Sequence, residues 1–201
     1  MPADRPAVKS RTDTAERILD LAETLIQTRG YNAFSYQDIA DAMGIRKAGI
    51  HYHFASKKDL GVAVIDRYAR RFEAMLAELD GQDAISSMAM LDHYTQPYLA
   101  FSESSDRVCL CGALAGEILA LPEEMRAKVE RFFEAHQRWL AMILERGARR
   151  GEFRLSASPE MMARTVFGAL QGALIVQRAT GDATQLKDVV AVLKAQIAAG
   201  A

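Results

Sequence analysis

Apolar residues recur every three or four positions through almost the whole chain and do not alternate with polar ones. That period belongs to the helix, so the chain is expected to be all-α. Ala15, Ile18, Leu19, Ala22, Leu25 and Ile26 share one face of a first helix, which Gly30 stops. Ser35 stands three residues before Asp38, and Ser56 three before Asp59. Both spacings are capping boxes that open helices. After Ser56, Val62, Ile65, Ala69, Phe72, Leu76 and Leu79 form a stripe that ends at Asp80–Gly81. A further helix is expected over about 84–104. Others should open at Cys109, at Pro122, at Pro159 and near Asp182 and Gln185, with Gly151 and Gly181 as stops. The count is about nine helices. A boundary near residue 56 separates three short N-terminal helices from a larger body, and the helix opened by Ser56 belongs to both.

A chain of 201 residues with net charge −1 has no global excess of cations for coating nucleic acid. Any such role must come from a local patch. Two cysteines two positions apart make no disulfide framework, which points to a reducing compartment and the cytoplasm. The polar start is expected to be a mobile arm over residues 1–11, and no apolar run is long enough to span a bilayer. No metal-ligand or cofactor signature is present, so neither a metal nor a cofactor is expected.

The local patch lies in "FSYQDIADAMGIRKAGIHYHFASKKDL". Ile39, Ala40, Gly44, Ile45 and Ile50 have helix-turn-helix spacing. Ala40 is small where the second helix crosses it, and Gly44 permits the positive φ that turns the chain. Ile39, Ile45 and Ile50 make the small core against helix 12–29. The second helix, about Arg46 to His53, then exposes Arg46, Lys47, Ala48, Gly49 and His51 at the end that enters a major groove. Ser35 and Ser56 lie at helix N-termini, which favour phosphate. Lys57, Lys58, Tyr52 and His53 add cations and donors. Four cations and no acid lie between Gly44 and Lys58.

This stretch resembles the DNA-binding segment of the TetR family of bacterial repressors, over roughly residues 12–60. The family's pattern is a Gly turn, a Lys- and Ser/Gly-containing helix, Tyr-aromatic-His-Phe, then Ser-Lys and an acid; the third part reads His51-Tyr52-His53-Phe54 here. The resemblance implies a DNA-binding domain at 12–56 and a ligand-binding, dimerisation domain at 57–201. It implies a homodimeric repressor with two recognition helices on a palindromic double-stranded operator, half-sites about 34–36 Å apart. Ser35, Lys47, Tyr52 and Lys57 fall at backbone-contacting positions, and Arg46, Gly49 and His51 where contacts vary. Arg46 departs from the commoner Ser or Thr. His53 packs or touches DNA.

In the body, Gly168 and Gly172, with Ala169, Ala173 and Val176, suggest a pairing surface where another backbone comes close. The resemblance also implies a small-molecule pocket. Candidate lining residues are Phe72, Met75, Tyr94, Tyr98, Phe101, Leu114, Phe132, Phe133, Trp139, Met142, Phe167 and Gln171, with His93, His136 and Glu117 for polar contacts. Cys109 and Cys111 open a helix beside Arg107, where a thiolate is favoured. The run "CLCGALAGEILALPEEMR" resembles the segment of electrophile-responsive TetR repressors, with Cys109 at the sensing position; the alternative is two packed small residues. The expected mechanism is a tilt of helix 56–80 that moves the recognition helix. An activator using the same DNA contacts is the nearest alternative. An enzyme using Cys109 with His93 or His136 as base is the distant one, since no base or oxyanion hole is positioned.

Overall fold

The computed structural model describes residues 11–81, 84–101 and 106–198. Among them the chain forms nine α-helices and no strand. The helices are α1 (Arg11–Arg29), α2 (Tyr36–Met43), α3 (Lys47–His53), α4 (Lys57–Asp80), α5 (Ser87–Phe101), α6 (Leu110–Gly116), α7 (Glu123–Arg149), α8 (Pro159–Thr180) and α9 (Gln185–Ile197). The all-α expectation holds. The expected arm lies, except for Arg11, outside the described residues.

Several ends form where the sequence places them. Ser35 and Ser56 each close a full capping box with Asp38 and Asp59. Ser158 accepts from the Met161 amide, with Pro159 in the first turn of α8. Gly44 is left-handed at φ 65°, which lets its N–H and that of Ile45 take carbonyls at the end of α2. One expectation is corrected. Asp182 does not cap α9 directly; its Oδ1 accepts from the Thr184 amide and hydroxyl, each at 2.9 Å. It shapes the turn before the helix instead. A single 3-10 turn, Ile118–Ala120, separates α6 from α7.

Helices α1, α2 and α3 pack around Ile18, Ala22, Ile26, Ile39 and Ile50, all but closed to solvent. Helix α4 leaves this unit and lies against both α1 and α7. Its hold on α1 is ionic: Arg67, 12% exposed, reaches Glu16 at 3.0 Å, Asp20 at 2.8 Å and Glu23 at 2.9 Å, and Arg71 also reaches Glu23. The body core is α7 against α4, α5 and α8, filled by Tyr94, Leu114, Met125, Leu140, Ile143 and Leu170. Trp139 donates to Asp80 at 2.9 Å, pinning the end of α4 to α7.

Candidate nucleic-acid interface and effector region

The reading surface is built from the Gly44 turn outward. Ile50 is fully buried and Ile45 half-buried, so α3 sits on α2 by its apolar side. Its other side carries Arg46, Lys47, Ala48, His51 and Tyr52, all exposed, with Gly49 half-buried between them. Arg46 is the N-cap residue itself and makes no side-chain cap bond. The helix is anchored from behind. Tyr36 donates to the Phe54 carbonyl at 3.0 Å, and its ring meets that of His51 at 4.8 Å. His51 Nδ1 lies 3.1 Å from the Ala55 carbonyl, and His53 packs beside Tyr52 and Phe54.

Not every cation of the motif points outward. The Lys57 ammonium donates to the Phe34 carbonyl at 2.5 Å and lies 4.5 Å from the centroids of Tyr31 and Phe34. Burial there pushes its pKa down. Lys58 pairs with Glu124 of α7 at 3.4 Å. Arg46 and Lys47 are the two cations left on the outer face, and no ion pair engages them among the described residues. The Ser35 hydroxyl donates to Asp38 at 2.7 Å, and that bond holds the Asp38 carboxyl below its usual range.

A joint that the sequence reading missed links this unit to the body. Glu117, the residue that ends α6, reaches into the turn after α1. Its carboxylate accepts from the Tyr31 amide at 2.8 Å, the Asn32 amide at 3.0 Å and Asn32 Nδ2 at 2.6 Å. Gly30 makes room for it: at φ 93°, a Cβ there would stand 2.0 Å from Glu117 Oε1. At the other end of α6 the Val108 amide donates to the Gln27 carbonyl at 3.4 Å. From α8, Arg178 donates to the Gln27 and Thr28 carbonyls. Two of the open carbonyls at the end of α1, those of Gln27 and Thr28, are thus met by the body. Glu117 is therefore no pocket residue; its oxygens are committed to this turn.

The candidate effector residues divide. Tyr94, Tyr98, Phe72, Trp139, Phe167 and Gln171 gather with Phe132 around His136. Leu114 is buried in the core. Met75 and Phe101, with Phe72, line a surface cleft of about 310 Å³. Phe133 touches Phe132 and Phe167 on one side and lines a second cleft, about 430 Å³, with Ile118 and Val129. Met142 and His93 are exposed, away from the cluster. His136 is 2% exposed, and burial lowers its pKa to about 3, so it is neutral.

Both cysteines are buried and free. Cys109 is the N-cap residue of α6, and the Tyr68 hydroxyl lies 3.6 Å from its Sγ. Cys111 is enclosed, and burial pushes its thiol well up, which keeps it protonated. The His136 Nδ1 lies 2.8 Å from the Tyr94 hydroxyl, so thiol and imidazole have different partners.

On α8, Gly168 and Val176 face outward and Gly172 is half-exposed. Ile175 (56% exposed) and Met161 extend that face, and Val192 of α9 is also exposed. A Cβ at Gly168 or Gly172 would meet nothing within 4 Å. Ala169 is half-buried. Ala173 is corrected: at 4% exposure it packs inside the protomer, one helical step round from Gly172, and is withdrawn from the pairing surface.

A helix-turn-helix with an exposed cationic second helix, carried on an all-helical body, defines a DNA-binding transcriptional regulator. Comparison with known proteins agrees. Residues 18–64 match the family described as bacterial regulatory proteins, tetR family, and residues 87–193 match the tetracyclin repressor-like C-terminal domain. The chain belongs to the TetR family. A TetR-family regulator from Agrobacterium tumefaciens has the same structure at TM-score 0.89 and 34% identity, over 94% of this chain and 100% of that one. One from Legionella pneumophila gives TM-score 0.83 and 33% identity, over 98% and 100%. The transcriptional repressor NemR of Escherichia coli is 24% identical over 92% of this chain and 94% of its own. No helix among the described residues is long and apolar enough to cross a membrane.

Proposed function

We propose that the chain is a cytoplasmic homodimeric repressor, with residues 12–56 as reader and 57–201 as effector-binding and pairing body. Two copies of α3 enter successive major grooves of a palindromic operator. Arg46, Lys47, Ala48, Gly49, His51 and Tyr52 meet DNA, while Ser35, His53 and Lys57 position the reader from the side. Pairing uses Gly168, Ala169, Gly172 and Val176. The observation that carries this reading is the outer face of α3, where Arg46 and Lys47 stand exposed on a helix locked from behind.

Release follows from binding in the body or from alkylation or oxidation of Cys109. Its Sγ is packed under Tyr68 at the head of α6, the helix whose two ends grip α1. Cys109 is 3% exposed at the N-cap of α6, so a group added to its Sγ would displace its neighbours and disturb the head of that helix. The structure also favours α6 acting on α1 directly, beside the tilt of α4. A regulator can be shifted only by a ligand that binds its two states unequally.

Selecting duplexes from a random pool should recover a palindrome with half-sites about one helical turn apart. Recovery of no preferred sequence would end the DNA-reading proposal. A Cys109→Ser variant should bind that duplex like the parent and fail to release on alkylation. Release that persists in the variant removes Cys109 from sensing.

A further inference from the structure

His136 lies in a box of aromatic rings. The centroids of Phe72 and Phe132 are each 4.1 Å from its own, Phe167 is at 5.4 Å and Tyr94 at 5.7 Å. Its Nδ1 lies 2.8 Å from the Tyr94 hydroxyl. Its Nε2 is buried and has no hydrogen-bond partner. A buried polar atom left unpaired is costly, and native structures rarely keep one without a use.

The hydrogen positions follow from the chain of contacts behind the ring. Gln171 Nε2 can only donate, and it meets the Tyr98 hydroxyl at 3.5 Å. The Tyr98 and Tyr94 hydroxyls are 3.5 Å apart. Every buried hydroxyl proton finds an acceptor when Tyr98 donates to Tyr94 and Tyr94 donates to Nδ1, whereas the reverse run leaves the Tyr98 proton with none among the described contacts. The remaining proton of neutral His136 is then on Nε2. The loose end of the chain is an N–H donor among carbon faces, and the rings that surround it carry no charged group.

The box adjoins an opening. The cleft of about 310 Å³ is bounded by Tyr68, Phe72, Met75, Pro97 and Phe101, and also by Glu23, Gln27, Arg71 and Arg107. Phe72 belongs to both: its half-buried ring lines the cleft on one side and lies tilted against His136 on the other. Turning that ring aside would open the cleft onto His136. The cleft has the size of a small-ligand site, and its aromatic and apolar side, Tyr68, Phe72, Met75, Pro97 and Phe101, is the side that adjoins the box.

We propose that His136 is the polar anchor of the effector site, and that the effector is a flat, uncharged aromatic molecule whose acceptor oxygen takes the Nε2–H. This inference rests on the reading of the chain as an effector-controlled regulator, but its test does not use DNA. Arg71 and Arg107 stand at the cleft, but the described contacts of the His136 ring are all aromatic, so a carboxylate seated against Nε2 would be stripped of water without a cation beside it. A hydrocarbon of the same shape enters by the same route and leaves the donor unpaired, so it binds more weakly.

Trp139 is the sole tryptophan and stacks on Tyr94 at 5.3 Å, so its fluorescence reports the box. The probes are acetophenone, cumene as its oxygen-free counterpart, and benzoate as the anion. The full chain should bind acetophenone saturably, about tenfold more tightly than cumene, and benzoate not at all. In His136→Phe the preference for acetophenone should vanish while cumene still binds. Retained cumene binding shows that the box is intact. As a second variant, Phe72→Ala should strengthen binding of both neutral probes and keep the preference for acetophenone. Equal binding of acetophenone and cumene by the parent chain, no saturable response to either, or a preference that survives in His136→Phe would each overturn the proposal. Acetophenone binding that fails to release DNA would count against effector control and leave the anchor standing.

Discussion

Glu117 offers the sharpest test of how the body holds the reader. Its carboxylate accepts three N–H bonds, from the Tyr31 and Asn32 amides and from Asn32 Nδ2, at 2.6–3.0 Å. Hydrogen bonds to an ionised acceptor contribute about 1.5–3 kcal/mol each when shielded. Asn32 is exposed, so water replaces most of what is lost there, and the shielded Tyr31 amide dominates. Glu117→Ala should therefore lower the unfolding free energy by about 2 kcal/mol in total. Unfolding entropy near ~2.1 cal/mol/K per residue makes about 0.4 kcal/mol/K for 201 residues. The melting midpoint should fall by ~5 °C at fixed protein concentration. A second readout is local: the Tyr31 and Asn32 amide protons should exchange faster with solvent, while those of buried α7 residues such as Leu140 keep their order of protection. Gly30→Ala should mimic the loss, because its Cβ would overlap Glu117 Oε1 at a φ that side chains resist. Unchanged exchange at Tyr31 and Asn32 in Glu117→Ala would show that the carboxylate does not hold the turn in solution.

Three other outcomes are expected. Lys47→Ala should weaken binding to most duplexes and flatten the log–log salt dependence by about 0.9 per half-site, measured by titration at several salt concentrations; an unchanged slope removes Lys47 from phosphate contact. Gly172→Arg should leave the protomer folded, since a Cβ there meets nothing, yet split the dimer by blocking close approach of the partner, as read by sedimentation; a dimer that survives refutes the α8 pairing face. His136 has a folded pKa depressed to about 3, so the unfolded chain binds a proton first on acidification. Stability should be full above the unfolded pKa near ~6.5 and fall below it, by about 1 kcal/mol between pH 7 and 5.5, and this slope should be flatter in His136→Phe. Denaturant midpoints across that window decide it.

The helices were legible because period and caps are local. Gly44, Ser35, Ser56, Ser158 and Gly181 each act on neighbours within four residues, and the structure shows each end in place. The helix-turn-helix was legible for the same reason. What stayed hidden depends on residues far apart. Nothing in the sequence near Lys57 tells that its ammonium turns in to Phe34, twenty-three positions back. Glu117 read as a polar group for a pocket, although its partners lie eighty-five residues upstream. The mistake at Ala173 has another origin. Two glycines four apart mark a face, but the alanine beside each lies about 100° round the helix, and Ala173 belongs to the core.

The grip on the end of α1 is made largely on peptide groups: the Gln27 and Thr28 carbonyls and the Tyr31 and Asn32 amides. Every residue type except proline offers those atoms. The socket therefore accepts a plug by its shape and is blind to most of its spelling. Drift on the outer side of α3 can rewrite which promoter is addressed while the docking stays untouched, and a head borrowed from a relative would seat if it keeps the same bend after its first helix and the acids at 16, 20 and 23 that meet Arg67.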